Sequence, residues 1–160
     1  MTPFDVQYKE AIRLIMEEGI DVPNPWSGRV TRMVPGVTLR VDVAECFPLL
    51  TLRKIPLRLF IAEQVWYLMG EKNATWLQQY TKIWDAFLEE DGTVQAAYGH
   101  RWRHHFGRDQ IDLLVTHLKE NPASRHAVVI TWDPADDGFG LDKKLNVPCP
   151  YTFTVNIAGG

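Results

Sequence analysis

One thiol, Cys149, stands between two prolines in the run Leu145-Asn146-Val147-Pro148-Cys149-Pro150-Tyr151. A thiolate is the strongest nucleophile in the side-chain set once nearby positive charge lowers its pKa. Pro148 and Pro150 stiffen the backbone on both sides and keep it out of a helix, which fixes the aim of the thiol. A lone cysteine is more often a small buried hydrophobe, so its company decides. Glu63 interrupts an apolar stretch where charge is expensive. It reads either as a proton shuttle with a raised pKa or as a carboxylate bonded to a core hydroxyl or Trp N–H. Arg125, in Ser124-Arg125-His126 after Asn121-Pro122, can aim its fork at a phosphate; taken alone, a surface ion pair is its commoner use. Trp84 and Phe87 offer flat faces for a heteroaromatic ring, or plain core. Tyr98-Gly99-His100-Arg101-Trp102-Arg103 sets two guanidiniums around a tryptophan, as cation–π clusters do. His104 and His105 are adjacent with no acidic partner at ligand spacing, and Cys46 and Cys149 show no CxxC, so no metal is expected.

The elements that must position these residues follow from periodicity. Phe4 to Glu18 carries a helical apolar stripe stopped by Gly19. Val22 to Arg29 is rich in Pro and Gly and reads as a loop. Val37 to Val43 alternates as a strand does, and Phe47 to Thr51 is a connector. Leu57 to Met69, closed by Gly70, reads as a largely buried helix. A short helix is expected over Asn73 to Tyr80, a surface turn at Glu89-Glu90-Asp91-Gly92, and an amphipathic helix from Asp109 to Lys119. Ala127 to Trp132 reads as a buried strand, Asp133 to Lys144 as a loop, and the stretch after Cys149 as another strand. Helices mixed with non-adjacent strands predict an α+β fold with helices packed on a sheet.

With 160 residues, 46% of them hydrophobic and 23% charged, the chain suits one globular domain. A net charge of -3 without a basic stripe argues against general nucleic-acid or membrane binding and leaves room for a local cationic pocket. The N-terminus shows no basic and apolar leader, and no apolar run would span a bilayer, so a reducing cytoplasmic setting is expected. At Asn156-Ile157-Ala158-Gly159-Gly160 a strand enters a Gly-Gly turn with no returning strand, which predicts a C-terminally incomplete domain.

The order of motifs is more specific than any one of them. Phe47-Pro48-Leu49-Leu50-Thr51, Glu63-x-x-Trp66, Ile83-Trp84-Asp85, Tyr98-Gly99-x-x-Trp102-Arg103, Asp109-Gln110, Asn121-Pro122-x-Ser124-Arg125, Trp132-x-Pro134 and Pro148-Cys149 form a series. From Phe47 to Val155 it resembles the thymidylate synthase family, including its pyrimidine hydroxymethylase relatives. The resemblance implies an α+β, thymidylate synthase-like mixed sheet with helices on one face and the other used for homodimerisation. It also implies addition of a cysteine thiolate to C6 of a pyrimidine nucleoside monophosphate, with 5,10-methylenetetrahydrofolate as co-substrate and no metal. Cys149 matches the nucleophile, and Glu63 the glutamate that organises water and moves protons near O4 and C5. Arg125 matches a phosphate arginine donated across the dimer. Trp84 matches a folate-contacting tryptophan, and Phe87 falls where a second is frequent. Tyr98 and Arg103 are assigned to the scaffold and its charge network.

Departures from the pattern are specific. The usual Arg-Thr-Gly-Thr phosphate loop is here Trp26-Ser27-Gly28-Arg29-Val30-Thr31, with Arg29 a shifted candidate for the same phosphate. His126 replaces a second arginine, which would weaken or pH-tune phosphate binding. Pro150 replaces the histidine that commonly follows the nucleophile. These features keep a hydroxymethylase acting on dCMP, CMP or dUMP beside the synthase reading, and a non-catalytic fragment or pseudoenzyme domain beside both. Little turnover is expected from the chain as it stands.

Overall fold

The computed structural model describes residues 1–24, 27–138 and 147–158; Trp26, the end of the expected 133–144 loop and the final Gly-Gly lie outside them. The chain divides into two compact units, Met1–Pro56 and Leu57–Gly160.

In the first unit, helix α1 runs Pro3–Glu18. Thr2 and Asp5 form a reciprocal capping box, Pro3 occupies the first turn, and Gly19 ends the helix. Strands β1 (Ile20–Asn24) and β2 (Arg29–Met33) form an antiparallel hairpin, with Ile20 opposite Met33 and Asn24 opposite Arg29. This corrects the expected loop over Val22 to Arg29. Pro23 is tolerated because a two-stranded ribbon turns every second backbone group away from its partner, and Gly28 supplies the positive φ of the turn. The strand expected over Val37 to Val43 is also absent. The Gln7 side-chain amide stands in for a neighbouring strand, accepting from Arg40 N (2.9 Å) and donating to Arg40 O (2.7 Å).

Asp5 is fully buried and accepts from the backbone N–H groups of Thr2 and Thr51, each at 2.8 Å. The Thr51 hydroxyl, followed by those amides, holds its carboxyl far below the usual range. A depressed carboxyl stabilises the fold above the unfolded-state pKa of about 4 and loses that stabilisation as pH falls below it. Between about pH 5 and about pH 3, the urea midpoint of this unit should therefore fall more steeply in wild type than in Asp5→Asn. Equal slopes would remove Asp5 from the acid response.

The second unit begins with helix α2, Leu57–Met69, closed by Gly70 at φ +73°. Short 3₁₀ turns cover Leu77–Gln79 and Asp85–Phe87. The helix expected over Asn73 to Tyr80 is thus one turn only, because Asn73 is instead bridged to Thr93. Helix α3, Tyr98–His100, widens into a π-helical turn over Arg101–His105. Helix α4, Gln110–Glu120, is capped by Asp109, which accepts from the N–H groups of Ile111 and Asp112. Strands β3 (Val128–Ile130) and β4 (Thr152–Thr154) pair antiparallel, Val129 opposite Phe153. Helix α4 and the π turn pack against β3.

The core of this unit is aromatic: Trp66, Tyr67, Trp84 and Tyr98 are buried with Ala62, Leu77 and Val94, and Trp102 packs against them. Gly99 is required by proximity, since a Cβ there would fall 1.9 Å from Tyr67 O. The expected α+β class is the observed one, while β3 is buried only at Val129, with Val128 and Ile130 exposed. Among the described residues no helix is long and apolar enough to cross a membrane.

Candidate active site

Cys149 is solvent-exposed, just before β4, and its backbone N–H donates to the Tyr98 hydroxyl at 3.3 Å. Tyr98 stands at the start of α3, held against α2 by the close approach at Gly99. Burial first, then a hydrogen bond to the Cys149 side chain, pushes its phenol up to about 12. The hydroxyl therefore keeps its proton beside Cys149. Tyr98, assigned to the scaffold from sequence, is a site residue by position.

The Tyr98 ring packs on Tyr67 with centroids 5.2 Å apart. Tyr67 lies one helical turn after Glu63 on α2 and hydrogen-bonds its carboxylate. Burial, then the charge of Glu63, holds the Tyr67 phenol well above its ordinary value. Glu63 is half-buried and accepts from Trp84 Nε1 at 2.7 Å. Of the two alternatives for Glu63, the bond to a tryptophan N–H is the one observed, and the carboxylate stands two phenols away from the thiol. Tyr67 was missed from sequence, although its i, i+4 spacing from Glu63 was there to be read.

Trp84 is buried, stacked near Trp66 and Tyr98, with Phe87 half-buried against its edge at 5.8 Å. Trp84 therefore holds Glu63, and Phe87 offers the more open aromatic surface at this corner. Beside the thiol, Pro148, Cys149, Tyr151 and Thr152 join Val128, Ile130 and Trp132 around an open apolar groove of about 600 Å³.

Arg125 and His126 lie apart from this frame, exposed on the turn between α4 and β3. Arg29 is exposed at the start of β2, in the first unit. Cys149, Glu63, Trp84 and Phe87 are the predicted residues brought onto one frame.

His105 does have acidic partners, contrary to the sequence expectation: Asp133 and Asp136 meet it from the turn after β3, with ligand atoms within 4.8 Å of one another. Its Nε2 donates to Asp133 Oδ2 at 2.6 Å. The buried guanidinium of Arg101 reaches the same carboxylates, Asp133 at 3.8 Å and Asp136 at 4.0 Å. A cation is thus built into the cluster by the chain itself.

Tyr98→Phe keeps the ring packing and removes the hydroxyl that Cys149 N–H meets. Alkylation of Cys149 by iodoacetamide should slow by about two- to tenfold, the worth of one hydrogen bond. An unchanged rate would show that the phenol does not act on the thiol.

A thymidylate synthase family profile matches residues 6–160. A thymidylate synthase of Corynebacterium aurimucosum is 34% identical over 99% of this chain and 60% of its own length. The thermostable thymidylate synthase A of Bacillus subtilis superposes with a TM-score of 0.75 at 31% identity, over 93% of this chain and 58% of that one. The chain spans about 60% of the length of the relatives it matches. Extent of match, identity and fold agree, and the chain belongs to the thymidylate synthase family.

Proposed function

We propose that this chain carries the nucleophile and proton-handling half of a thymidylate synthase site, acting on dUMP with methylenetetrahydrofolate as co-substrate. The observation that supports it is the frame Cys149–Tyr98–Tyr67–Glu63: Cys149 N–H donates to the Tyr98 hydroxyl, the Tyr98 and Tyr67 rings pack 5.2 Å apart, and Tyr67 meets the Glu63 carboxylate.

In this reading the Cys149 thiolate adds to C6 of the pyrimidine, and the electron pair of the C5=C6 bond becomes available at C5 for attack on the one-carbon unit. Tyr98 O–H stabilises the sulfur anion before addition and after its release. Glu63, held by Trp84 and Tyr67, is the carboxylate that takes and returns a proton at the C5 and O4 edge. Arg125 and His126 bind the nucleotide phosphate, in a neighbouring subunit of a homodimer, and Arg29 is the candidate from the first unit. Phe87, with the edge of Trp84, meets the folate ring.

Incubation with 5-fluoro-dUMP and methylenetetrahydrofolate followed by intact-mass analysis tests this reading. A mass increase mapped to the peptide bearing Cys149 supports it; the same increase mapped elsewhere overturns it. Pro150, in place of the usual histidine, favours a second reading as a hydroxymethylase of the same fold. Product analysis separates the two, because dihydrofolate forms only when the folate also supplies hydride.

A further inference from the structure

The turn that presents Arg125 is fastened from helix α4. Asn121 N–H donates to His117 O (2.8 Å) and Ser124 N–H to Asn121 O (3.0 Å), closing the helix end and the turn. The His117 ring then crosses to this turn, with Nε2 2.6 Å from Ser124 Oγ. The same hydroxyl accepts from His126 N–H at 3.1 Å, and His126 O accepts from Val128 N–H at 2.9 Å. Arg125 is therefore held between two fixed neighbours, while its own side chain is exposed and bonded to none of the described residues.

A serine hydroxyl has one proton and two lone pairs. With one lone pair on His126 N–H, Ser124 can still donate to a bare His117 nitrogen or accept from a protonated one, so the fastening survives either state of the ring. His117 and His126 together line two adjoining grooves, of about 290 and 510 Å³. Arg108 faces the first and Glu120 the second. An exposed guanidinium on a held turn binds a tetrahedral oxyanion with less ordering than one on a loose loop.

We propose that His117 is a positioning residue, acting through Ser124, that sets the affinity of the Arg125–His126 turn for a phosphate group. It rests on the reading of Arg125 and His126 as phosphate-binding residues. His117 was not singled out from sequence.

Inorganic phosphate, titrated while following the Arg125 and His126 amide resonances, provides the test. Arg125→Ala should weaken phosphate binding by about tenfold or more, the loss of a charge-assisted contact. His117→Ala should weaken it by about three- to tenfold, and His117→Gln, which can still reach Ser124 Oγ, should restore it to within about twofold. Ser124→Ala should match His117→Ala and expose the His126 amide to faster hydrogen exchange. Wild-type affinity in His117→Ala, with binding lost in Arg125→Ala, overturns the positioning role and leaves the phosphate reading intact. Wild-type affinity in Arg125→Ala, or no response in wild type, overturns the phosphate reading itself. If His117→Ala fails to fold, the His117→Gln and Ser124→Ala pair decides by the same criteria.

Discussion

Cys149→Ser is expected to abolish the covalent adduct with 5-fluoro-dUMP, and with it at least about a thousandfold of any turnover measured for the wild-type protein. Serine keeps the size and the position of the group but replaces a thiol by an alcohol, a far weaker nucleophile without an activating base. Tyr98 can support an anion there only if one forms. Glu63→Gln should behave differently. Glutamine retains an oxygen for Trp84 Nε1 at the place where Glu63 now accepts at 2.7 Å, so the frame stands and the adduct still forms. Turnover should nevertheless fall by about 10²- to 10⁴-fold, the usual worth of a positioned acid–base group. Intact mass and a tritium-release or product assay read the two steps separately. An adduct in Cys149→Ser, or unchanged turnover in Glu63→Gln, would dismantle the assignment of nucleophile and proton carrier respectively.

The parts of this frame that sequence could supply are those whose cause is local. Helices α1, α2 and α4 announce themselves because periodicity, a capping residue and a following Gly or Asn-Pro all act within a few positions. The ordered motif series singled out Cys149, Glu63 and Trp84, since each carries a chemistry that few residue types share, and the resemblance added Phe87. What failed depended on partners far along the chain. Val37 to Val43 alternates like a strand, yet among the described residues it is the side chain of Gln7 that pairs with its backbone, at Arg40. Pro23 suggested a loop, although the Arg29–Met33 strand was there to receive its neighbours. Tyr98 was placed in the scaffold because nothing within its own segment reports that Cys149, 51 residues later, would rest on its hydroxyl. His105 was read as having no acidic partner because Asp133 arrives from the far side of β3.

That same distant pairing makes Arg101 the residue whose loss should destabilise the second unit most. Its side chain is 1% exposed, and Nη2 donates to Asp137 Oδ1 at 3.2 Å, with Asp133 at 3.8 Å. Asp137, 2% exposed, also accepts from Asp133 N–H at 2.9 Å and so closes the turn that follows Trp132. Asp133 lies below its ordinary range, first because His105 donates to it, and remains ionised at neutral pH. Arg101→Met fills the space but removes the guanidinium that reaches the buried Asp137 carboxylate, a change that costs about 3–5 kcal/mol in other buried pairs. The double variant Arg101→Met with Asp137→Asn removes both charges and keeps an oxygen for Asp133 N–H. It should recover more than half of that loss, because the penalty belongs to the buried carboxylate charge rather than to the missing contact. Five of the six tryptophans, at positions 66, 76, 84, 102 and 132, lie in this unit, so the urea midpoint followed by tryptophan emission reports it selectively. A single variant within about 1 kcal/mol of wild type, or a double variant no better than the single, would show that the cluster is solvated rather than buried in its energetics. Trp132 lies two residues past β3 and lines the groove beside Cys149. A loosened turn should therefore also appear as altered thiol reactivity in Arg101→Met, and as its recovery in the double variant.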